Sequence, residues 1–584
     1  VGFRPFVFRL AQEHGLAGWV SNGSAGVEIE VQGPENKLKS FVQTIRDKPP
    51  PLARVEQLSC LEIPPLKANG FRIKASEDKG EHHPVIGPDA AVCQACLAEL
   101  FDKTDRRFGH PFISCVDCGA RYTIIEAVPY DREKTSMRVF GLCPACQEEY
   151  STAGNRRFHS QTNCCWDCGP RLELYDNKRS RLNVSDPVKA VCRFLKEGKI
   201  VAIKGLGGFH LACDATSNTV VGELRRRKGR GNKPFAVMVT SLEQARKVCQ
   251  INKREAELLQ DQASPIVLLR RLPGSEVSLE VAPANNYLGL MLPYTGIHHL
   301  IMAESDPLVM TSGNIADEAI IAEADEAFSK LGDVADYFLI HDRAIRYRCD
   351  DSVVRLIDGQ TQLLRRSRGY TPRLIELGRE FPSVLAVGAQ MKNTICFLKA
   401  DKALLSQHLG DMDNAGAYEF FQETLEHLGN LLSFKPAAVA HDLHPDYQTS
   451  SFAKALSISR KIAIQHHEAH VAGCLAQHKA LDEQIIGLSF DGTGFGRDNC
   501  IWGGEIFVGR LPELRRAAHF DYVPMPGGEQ AVKEPWRMAV AYLKKAFGSN
   551  YRNLDLPLLE RFRQQLPAIE KIIDKQINSP LTSS

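Results

Sequence analysis

The sequence predicts a multidomain protein built from α/β and α+β segments, and three observations carry that reading. A chain of 584 residues holds about four domains at about 150 residues each. Two long stretches, 186–372 and 383–584, alternate apolar strand-like runs with helical periodicity, the pattern of α/β folds. Ahead of them, between 85 and 175, lies a segment whose cysteines fall in CxxC pairs. Composition sets the class: hydrophobic residues make up 43% and charged residues 24%, as in folded soluble proteins rather than disordered ones. The net charge of +2 argues against an extended nucleic-acid surface, so no nucleic-acid partner is expected. No apolar run in the chain approaches the ~18 residues of a membrane span, and no leader pattern opens it. Seventeen cysteines, eight of them in CxxC pairs, read as metal binding in a reducing cytoplasm rather than as disulfides.

The chain opens at Val1-Gly2-Phe3-Arg4-Pro5 without an initiator methionine and closes at Ser584 after a helical stretch, so it reads as a fragment. Residues 1–78 read as a small α+β unit. A helical pattern runs through Phe6, Leu10 and Ala11, and a hairpin alternates Val27, Ile29 and Val31. A second helix near 34–47, a strand near 54–63 and a last strand at 70–75 complete it. With one strand before Val1 this is the ferredoxin-like split βαβ order. The polar run Ser76–Gly80 before His82-His83-Pro84 reads as a linker.

Residues 85–175 hold an internal repeat. Cys93-x2-Cys96, eighteen residues, then Cys115-x2-Cys118 recurs fifty residues later as Cys143-x2-Cys146, eighteen residues, Cys165-x2-Cys168. Arg106-Arg107-Phe108 returns as Arg156-Arg157-Phe158. Two CxxC knuckles joined by such a loop close a tetrahedral Zn²⁺ site. Four thiolates leave no open position for water, so both zinc ions are expected to be structural, holding together a segment with little core of its own. Cys164, beside Cys165, is the one confusable ligand, and most of the remaining eight cysteines are expected in the core.

Three further features suit phosphate chemistry. Gly2-Phe3-Arg4 precedes a helix, whose N-terminal amides could cradle an anion. Arg225 to Met238 packs six cations ahead of a strand, which alone reads as a solvated basic loop. Lys204-Gly205-Leu206-Gly207-Gly208, Thr311-Ser312-Gly313-Asn314 and Arg365-Arg366-Ser367-Arg368 add a glycine-rich strand exit, a polar turn and a second cationic turn. Such cations and donors suit a triphosphate and a small planar carboxylate-like group. In the last segment His466 and His470 of His466-His467-Glu468-Ala469-His470 are i,i+4 and share a helical face, as metal ligands do. A chance histidine cluster is the bland alternative, and HExxH is absent. Asp491, at a strand end before the turn Gly492-Thr493-Gly494, can hold a metal, and Lys392-Asn393-Thr394 follows another strand in the same way.

Three of the segments resemble known families. Gly2-Phe3-Arg4, Gly18-Trp19-Val20-Ser21-Asn22 and Gly26–Gly33 resemble acylphosphatase. That likeness implies that Arg4 binds the phosphoryl group and Asn22 orients the attacking water. Residues 186–372 resemble the YrdC-like carbamoyl-adenylate-forming domain through KPFAVM, GLMLPYT, TSGN and the Asp350–Val353 turn. This implies an ATP/Mg²⁺ and carbamoyl site at Lys204, Lys228, Arg230, Lys233, Thr311, Ser312, Ser352 and Arg365. Residues 383–584 resemble the nucleotide-binding lobe of ASKHA-fold carbamoyl- and threonylcarbamoyltransferases, with Lys392, Asn393, Thr394, Gly492, Thr493 and Gly494 near nucleotide. His466, His470 and Asp491 would hold a divalent metal there. In this order the segments resemble the HypF family of nickel–iron hydrogenase maturation carbamoyltransferases. The likeness implies that carbamoyl phosphate is hydrolysed to carbamate, which ATP activates as carbamoyl adenylate. The carbamoyl group then passes to the C-terminal cysteine of the partner HypE. It also implies a first strand before Val1 and further lobe after Ser584. The alternatives are a tRNA threonylcarbamoyl-type enzyme, which shares the last two domain types, and a zinc-stabilised scaffold.

Overall fold

The computed structural model describes residues 2–23, 26–50, 53, 55, 57–64, 69–74, 87–315 and 318–584, giving the backbone alone for 22 and 23. The predicted linker 76–84 lies outside these. Contacts divide the chain into two units, 1–373 with 405–434, and 374–404 with 435–584. Among the described residues no helix is long and apolar enough to cross a membrane.

In the first unit, Gly2 takes φ 77°, a left-handed value that glycine accepts without strain, and turns the chain into α1 (Phe3–Glu13). A hairpin of β1 (Ala17–Gly23) and β2 (Gly26–Gln32) follows, then α2 (Glu35–Asp47) and β3 (Phe71–Ile73). β1 lies centrally, antiparallel to β2 and parallel to β3. Val7, Leu10 and Ala11 of α1 meet Val20, Phe41 and Ile45 in one core. Of the expected strand at 54–63, the described residues 57–63 have no ladder, and Leu61 is 89% exposed; 54 and 56 lie outside the described residues.

The cysteine repeat folds as two short helices, α3 (Gln94–Phe101) and α4 (Pro144–Ser151), each capped by the first cysteine of its quartet. Next comes a ten-stranded sheet whose edge strand β4 (Leu172–Asp176) lies close behind the second quartet. It continues through α5 (Pro187–Lys196), β5 (Val201–Lys204), β6 (Phe209–Asp214), α6 (Asn218–Lys228), β7 (Ala236–Met238), β8 (Ile266–Arg270) and β9 (Tyr287–Met291). β10 (Leu308–Ser312), β11 (Tyr337–His341), β12 (Val353–Ile357) and β13 (Gln360–Arg365) complete it, in the order β13-β12-β8-β9-β7-β10-β6-β5-β11-β4. β5 and β6 are buried on nearly every residue, which explains the apolar run Ile200-Val201-Ala202-Ile203 that marks β5 in the sequence. Segment 405–434 joins this unit: the buried Gln407 accepts a hydrogen bond from Tyr122 Oη at 2.6 Å.

The second unit holds two sheets. β14 (Leu374–Ala386), β15 (Cys396–Leu405), β16 (Ala438–Asp442) and β17 (Arg460–Ile464) form the first, ordered β15-β14-β16-β17, with β14, β16 and β17 parallel. The second contains β18 (Ile485–Phe495), β19 (Ile501–Arg510), β20 (Glu513–His519), β21 (Val523–Pro524) and β22 (Leu581–Thr582). The helix His466–Gln477 packs on β18.

Of the eight scattered cysteines, Cys192, Cys213, Cys249 and Cys349 are buried, Cys396 and Cys500 are half-buried, and Cys60 and Cys474 are exposed. Cys474 projects from the outer face of its helix, and Cys60 lies in the unpaired 57–64 run.

Candidate functional sites

Each cysteine quartet closes on itself. Sγ–Sγ distances are 3.6–3.8 Å in the first (Cys96–Cys118, Cys93–Cys115, Cys115–Cys118). In the second they are 3.7 Å (Cys143–Cys165) and 3.9 Å (Cys165–Cys168). Zn–S bonds near 2.3 Å require an edge of about 3.8 Å in a tetrahedron, so both quartets fit the ion. Cys164 is no ligand: it is buried, with His110 Nε2 at 3.4 Å.

In the first domain Arg4 lies in the opening turn of α1 rather than ahead of it. Burial lowers its pKa, and Asp131 of the cysteine segment opposes that shift. The same segment brings His159 within electrostatic reach of Arg4. The sequence held no signal for either neighbour. Asn22 pairs through its backbone with Val27 across the hairpin; its side chain lies outside the described residues.

In the ten-stranded sheet, register gathers several predicted residues at one end. Lys204 pairs with Phe209, and Ser312 with His210, so the exits of β5 and β10 flank the entry of β6. The basic run divides: Arg225 to Lys228 end α6, with Gly229 as its left-handed cap, where cations offset the helix dipole, while Arg230 and Lys233 follow in the loop. Lys228 Nζ donates to Ser312 O (2.6 Å), Asn314 O (2.7 Å) and Asn314 Oδ1 (2.8 Å), holding the Ser312–Asn314 segment against α6. Burial, then Arg230, lowers its pKa to about 7. Thr311 and Ser312 complete β10 instead of forming a turn, because β6 supplies their ladder partners. Lys204 Nζ donates to His341 O at 3.2 Å. Arg230 bonds the carbonyls of Lys233 and Pro234, and Lys233 is exposed. Ser352 stands apart from this end in role: its hydroxyl donates to Arg368 O (2.9 Å) and accepts from Ser367 N (2.8 Å). Arg365 closes β13, half-buried. Sequence reasoning passed over His210, whose Nε2 lies 3.0 Å from Asp351 Oδ2 in the buried centre behind this end. Its one signal was its place directly after the glycine-rich exit.

In the second unit the parallel strands β14, β16 and β17 end together, and ligands of open α/β sheets bind at such ends. The Gly388–Thr394 loop follows β14, Asp442 ends β16 and His466 follows β17. His466 Nε2 lies 3.3 Å from His470 Nε2 and 3.2 Å from Asp491 Oδ2, and one donor atom from each lies within 4.8 Å of the others. Asp442 Oδ2 lies 2.7 Å from His466 Nδ1, the carboxylate–histidine arrangement that orients a metal-bound imidazole. With Asp442 hydrogen-bonded and Asp491 beside it, the His466 pKa rises to about 9, while burial and then His466 lower His470. Imidazole nitrogens and a carboxylate oxygen converging in this way fit a divalent ion.

The expected turn after Asp491 is instead part of β18, which runs through Gly492, Thr493 and Gly494 with an irregular register between Phe490 and Gly494. Glycine is needed at 494 because a Cβ would lie 2.8 Å from His467 Nδ1, so the helix could not seat. In the β14–β15 loop Asn393 donates to Val387 O and Ala389 O, while its buried Oδ1 has no partner. Lys392 is exposed at φ 48°, and Thr394 backs onto Gly388.

Comparisons place these parts together. Residues 1–73 match the acylphosphatase family, and 92–125 and 142–175 the HypF finger. Residues 193–367 match the Sua5/YciO/YrdC family, described as telomere recombination. Residues 379–477 match the HypF Kae1-like domain, and 487–584 the second subdomain of the Kae1-like carbamoyltransferase domain. Fingers, a YrdC-type domain and a Kae1-like domain behind an acylphosphatase fold define a multidomain carbamoyltransferase. The chain is 46% identical to carbamoyltransferase HypF2 of Cupriavidus necator, over all of this chain and 75% of that one. It is 38% identical to a probable carbamoyltransferase HypF of Methanocaldococcus jannaschii, over all of this chain and 77% of that one. A crystal structure of full-length HypF in a phosphate- and nucleotide-bound form matches with TM-score 0.91 and 44% identity, over the whole chain and 76% of that one. The chain belongs to the HypF carbamoyltransferase family.

Proposed function

We propose that the chain carries out carbamoyl transfer in three steps for nickel–iron hydrogenase maturation, in the cytoplasm. Carbamoyl phosphate and water give phosphate and carbamate at Arg4 and Asn22. Carbamate and ATP, with Mg²⁺, give carbamoyl adenylate and pyrophosphate around Lys204, Lys228, Arg230, Lys233, Thr311 and Ser312, with Ser352 and Arg365 in support. A cysteine thiol, that of the C-terminus of HypE, then takes the carbamoyl group and releases AMP in the Kae1-like domain. There Lys392, Asn393, Thr394, Gly492, Thr493 and Gly494 lie beside nucleotide. The observation that carries this reading is the run of matched domains along one chain, each suited to one step. Activation as an adenylate supplies the leaving group that a thiol displaces.

The same reading places Zn²⁺ in both quartets and a divalent ion at His466, His470 and Asp491. When bound, that ion would supply positive charge beside nucleotide phosphate. Asp442 holds the imidazole of His466 for it. Asp442→Asn is expected to weaken ion binding at this trio by about 10- to 100-fold, read by titration of the metal-stripped protein with Zn²⁺ or Co²⁺.

Carbamoyl-phosphate-dependent ATP–pyrophosphate exchange tests the first two steps. Arg4→Ala is expected to abolish exchange, and bicarbonate with ammonia, which generate carbamate, to restore it. Exchange driven by threonine rather than carbamoyl phosphate would instead favour the threonylcarbamoyl reading. Its absence in a folded, zinc-loaded protein would favour the scaffold.

A further inference from the structure

The repeated Arg-Arg dipeptides hydrogen-bond the opposite finger, and within its own repeat Arg157 keeps only a longer ion pair, Nη1 to Glu149 at 3.8 Å. Arg106 Nη2 donates to Sγ of Cys146 (3.2 Å) and to Glu149 (2.7 Å), both in the second repeat. Arg156 Nη1 donates to Sγ of Cys96 (3.2 Å) and its Nε to Glu99 (2.9 Å), both in the first. The second arginine of each pair follows the same rule. Arg107 bonds Glu149 and donates Nε to Cys164 O at 2.9 Å. Arg157 bonds Glu99 and donates Nε to Ser114 O at 3.1 Å. Glu99 and Glu149, Ser114 and Cys164, and the two arginine pairs all stand fifty residues apart, so the exchange is reciprocal. Arg107 and Arg157 are buried in it.

Four thiolates around a divalent ion leave a net charge of about −2 at each quartet, and the glutamate adds another negative charge. The two guanidinium groups that offset this charge come from the other repeat. Their placement adds a mechanical link. Arg106 and Arg107 lie between Cys96 and Cys115, inside the loop closed by the first ion, and Arg156 and Arg157 lie between Cys146 and Cys165. Release of one ion frees the loop whose arginines stabilise the other cage. We propose that the two quartets form one cooperative metal-binding unit, each thiolate cage held by the arginine pair of the opposite repeat.

Chelator challenge of the zinc-loaded chain, followed by native mass spectrometry, tests this directly. Cooperative quartets pass from two zinc ions to none with the one-zinc form scarce throughout. Independent sites would bring that form to about half of the molecules at mid-release, which would overturn the proposal. Alkylation mapping supplies a crossed test. Arg156→Gln is expected to expose Cys93, Cys96, Cys115 and Cys118 first, at least about tenfold faster than in the unmodified chain, because charge-assisted bonds to that cage are lost. Arg106→Gln is expected to expose Cys143, Cys146, Cys165 and Cys168 first. Early exposure of each variant's own quartet would sink the idea. Cys192 and Cys213, buried around the ten-stranded sheet, must stay unlabelled; if they label, Arg156→Lys and Arg106→Lys, which keep the charge but not the fork, are mapped in the same way.

Discussion

Replacing His466 with alanine is expected to remove carbamoyl transfer to a thiol acceptor while ATP–pyrophosphate exchange continues at its unaltered rate. The two activities separate because His466 stands at the ends of β16 and β17 in the second unit, whereas the residues proposed for adenylation belong to the first. His466 is the hub of its cluster: Nδ1 faces Asp442 at 2.7 Å, and Nε2 faces both His470 and Asp491 within 3.3 Å. Alanine would remove a donor and also leave the largely buried Asp442 carboxylate without the imidazole that faces it at 2.7 Å. The transfer loss should exceed the roughly 10- to 100-fold that loss of an outer partner such as Asp442 costs. Quantifying thiocarbamate on HypE by mass spectrometry, with exchange measured on the same preparation, checks both halves. Equal loss of both activities would mean that the substitution disturbs the whole chain rather than one site.

How far the sequence led depended on whether the chemistry was local. The cysteine quartets were legible because CxxC spacing at a fifty-residue repeat has few other meanings, and the structure closes both. His466 and His470 were legible because helical period alone puts them on one face. Asp442 was not: a lone aspartate ending a strand carries no signature, and only the parallel pairing of β16 with β17 brings it to His466. The Arg-Arg repeat was visible, yet which quartet it serves depends on how the two fingers meet. Local reading misled where tertiary pairing decided the conformation. Gly492 to Gly494 read as a turn but extend β18 against the helix, and Thr311 and Ser312 read as a turn but end β10. The run 57–64 has strand-like residues but no ladder among the described residues.

Arg368→Met should be the most destabilising single change in the ten-stranded sheet, costing about 3–5 kcal/mol. Arg368 is almost wholly buried and has every direction filled. Nε donates to Asp351 Oδ1 at 2.7 Å, Nη1 to Ala263 O at 2.9 Å and Nη2 to Ser264 O at 2.8 Å, and the guanidinium lies 3.4 Å from the centre of the Tyr294 ring. Methionine fills the volume but leaves Asp351 and two carbonyls in a dry interior. His210, 3.0 Å from the other Asp351 oxygen, compensates only in part. Hydrogen exchange is the suitable readout, because a multidomain chain has no single unfolding free energy; the amides of β5, β6 and β10 should lose protection together. The pH dependence gives the sign. Burial pushes the Asp351 carboxyl up, but Arg368 and His210 outweigh it and hold the carboxyl well below the ordinary range. Its contribution is therefore fully present above an unfolded value of about 3.9 and is lost only as pH falls through the lower folded value. Without Arg368, burial dominates and the carboxyl should titrate above its unfolded value. That residual stability is then present at low pH and lost as pH rises. The deficit of Arg368→Met against the unmodified chain should accordingly be larger at pH 8 than at pH 4. A deficit independent of pH would mean that Arg368 acts by packing and its two carbonyl bonds, and not through the charge of Asp351.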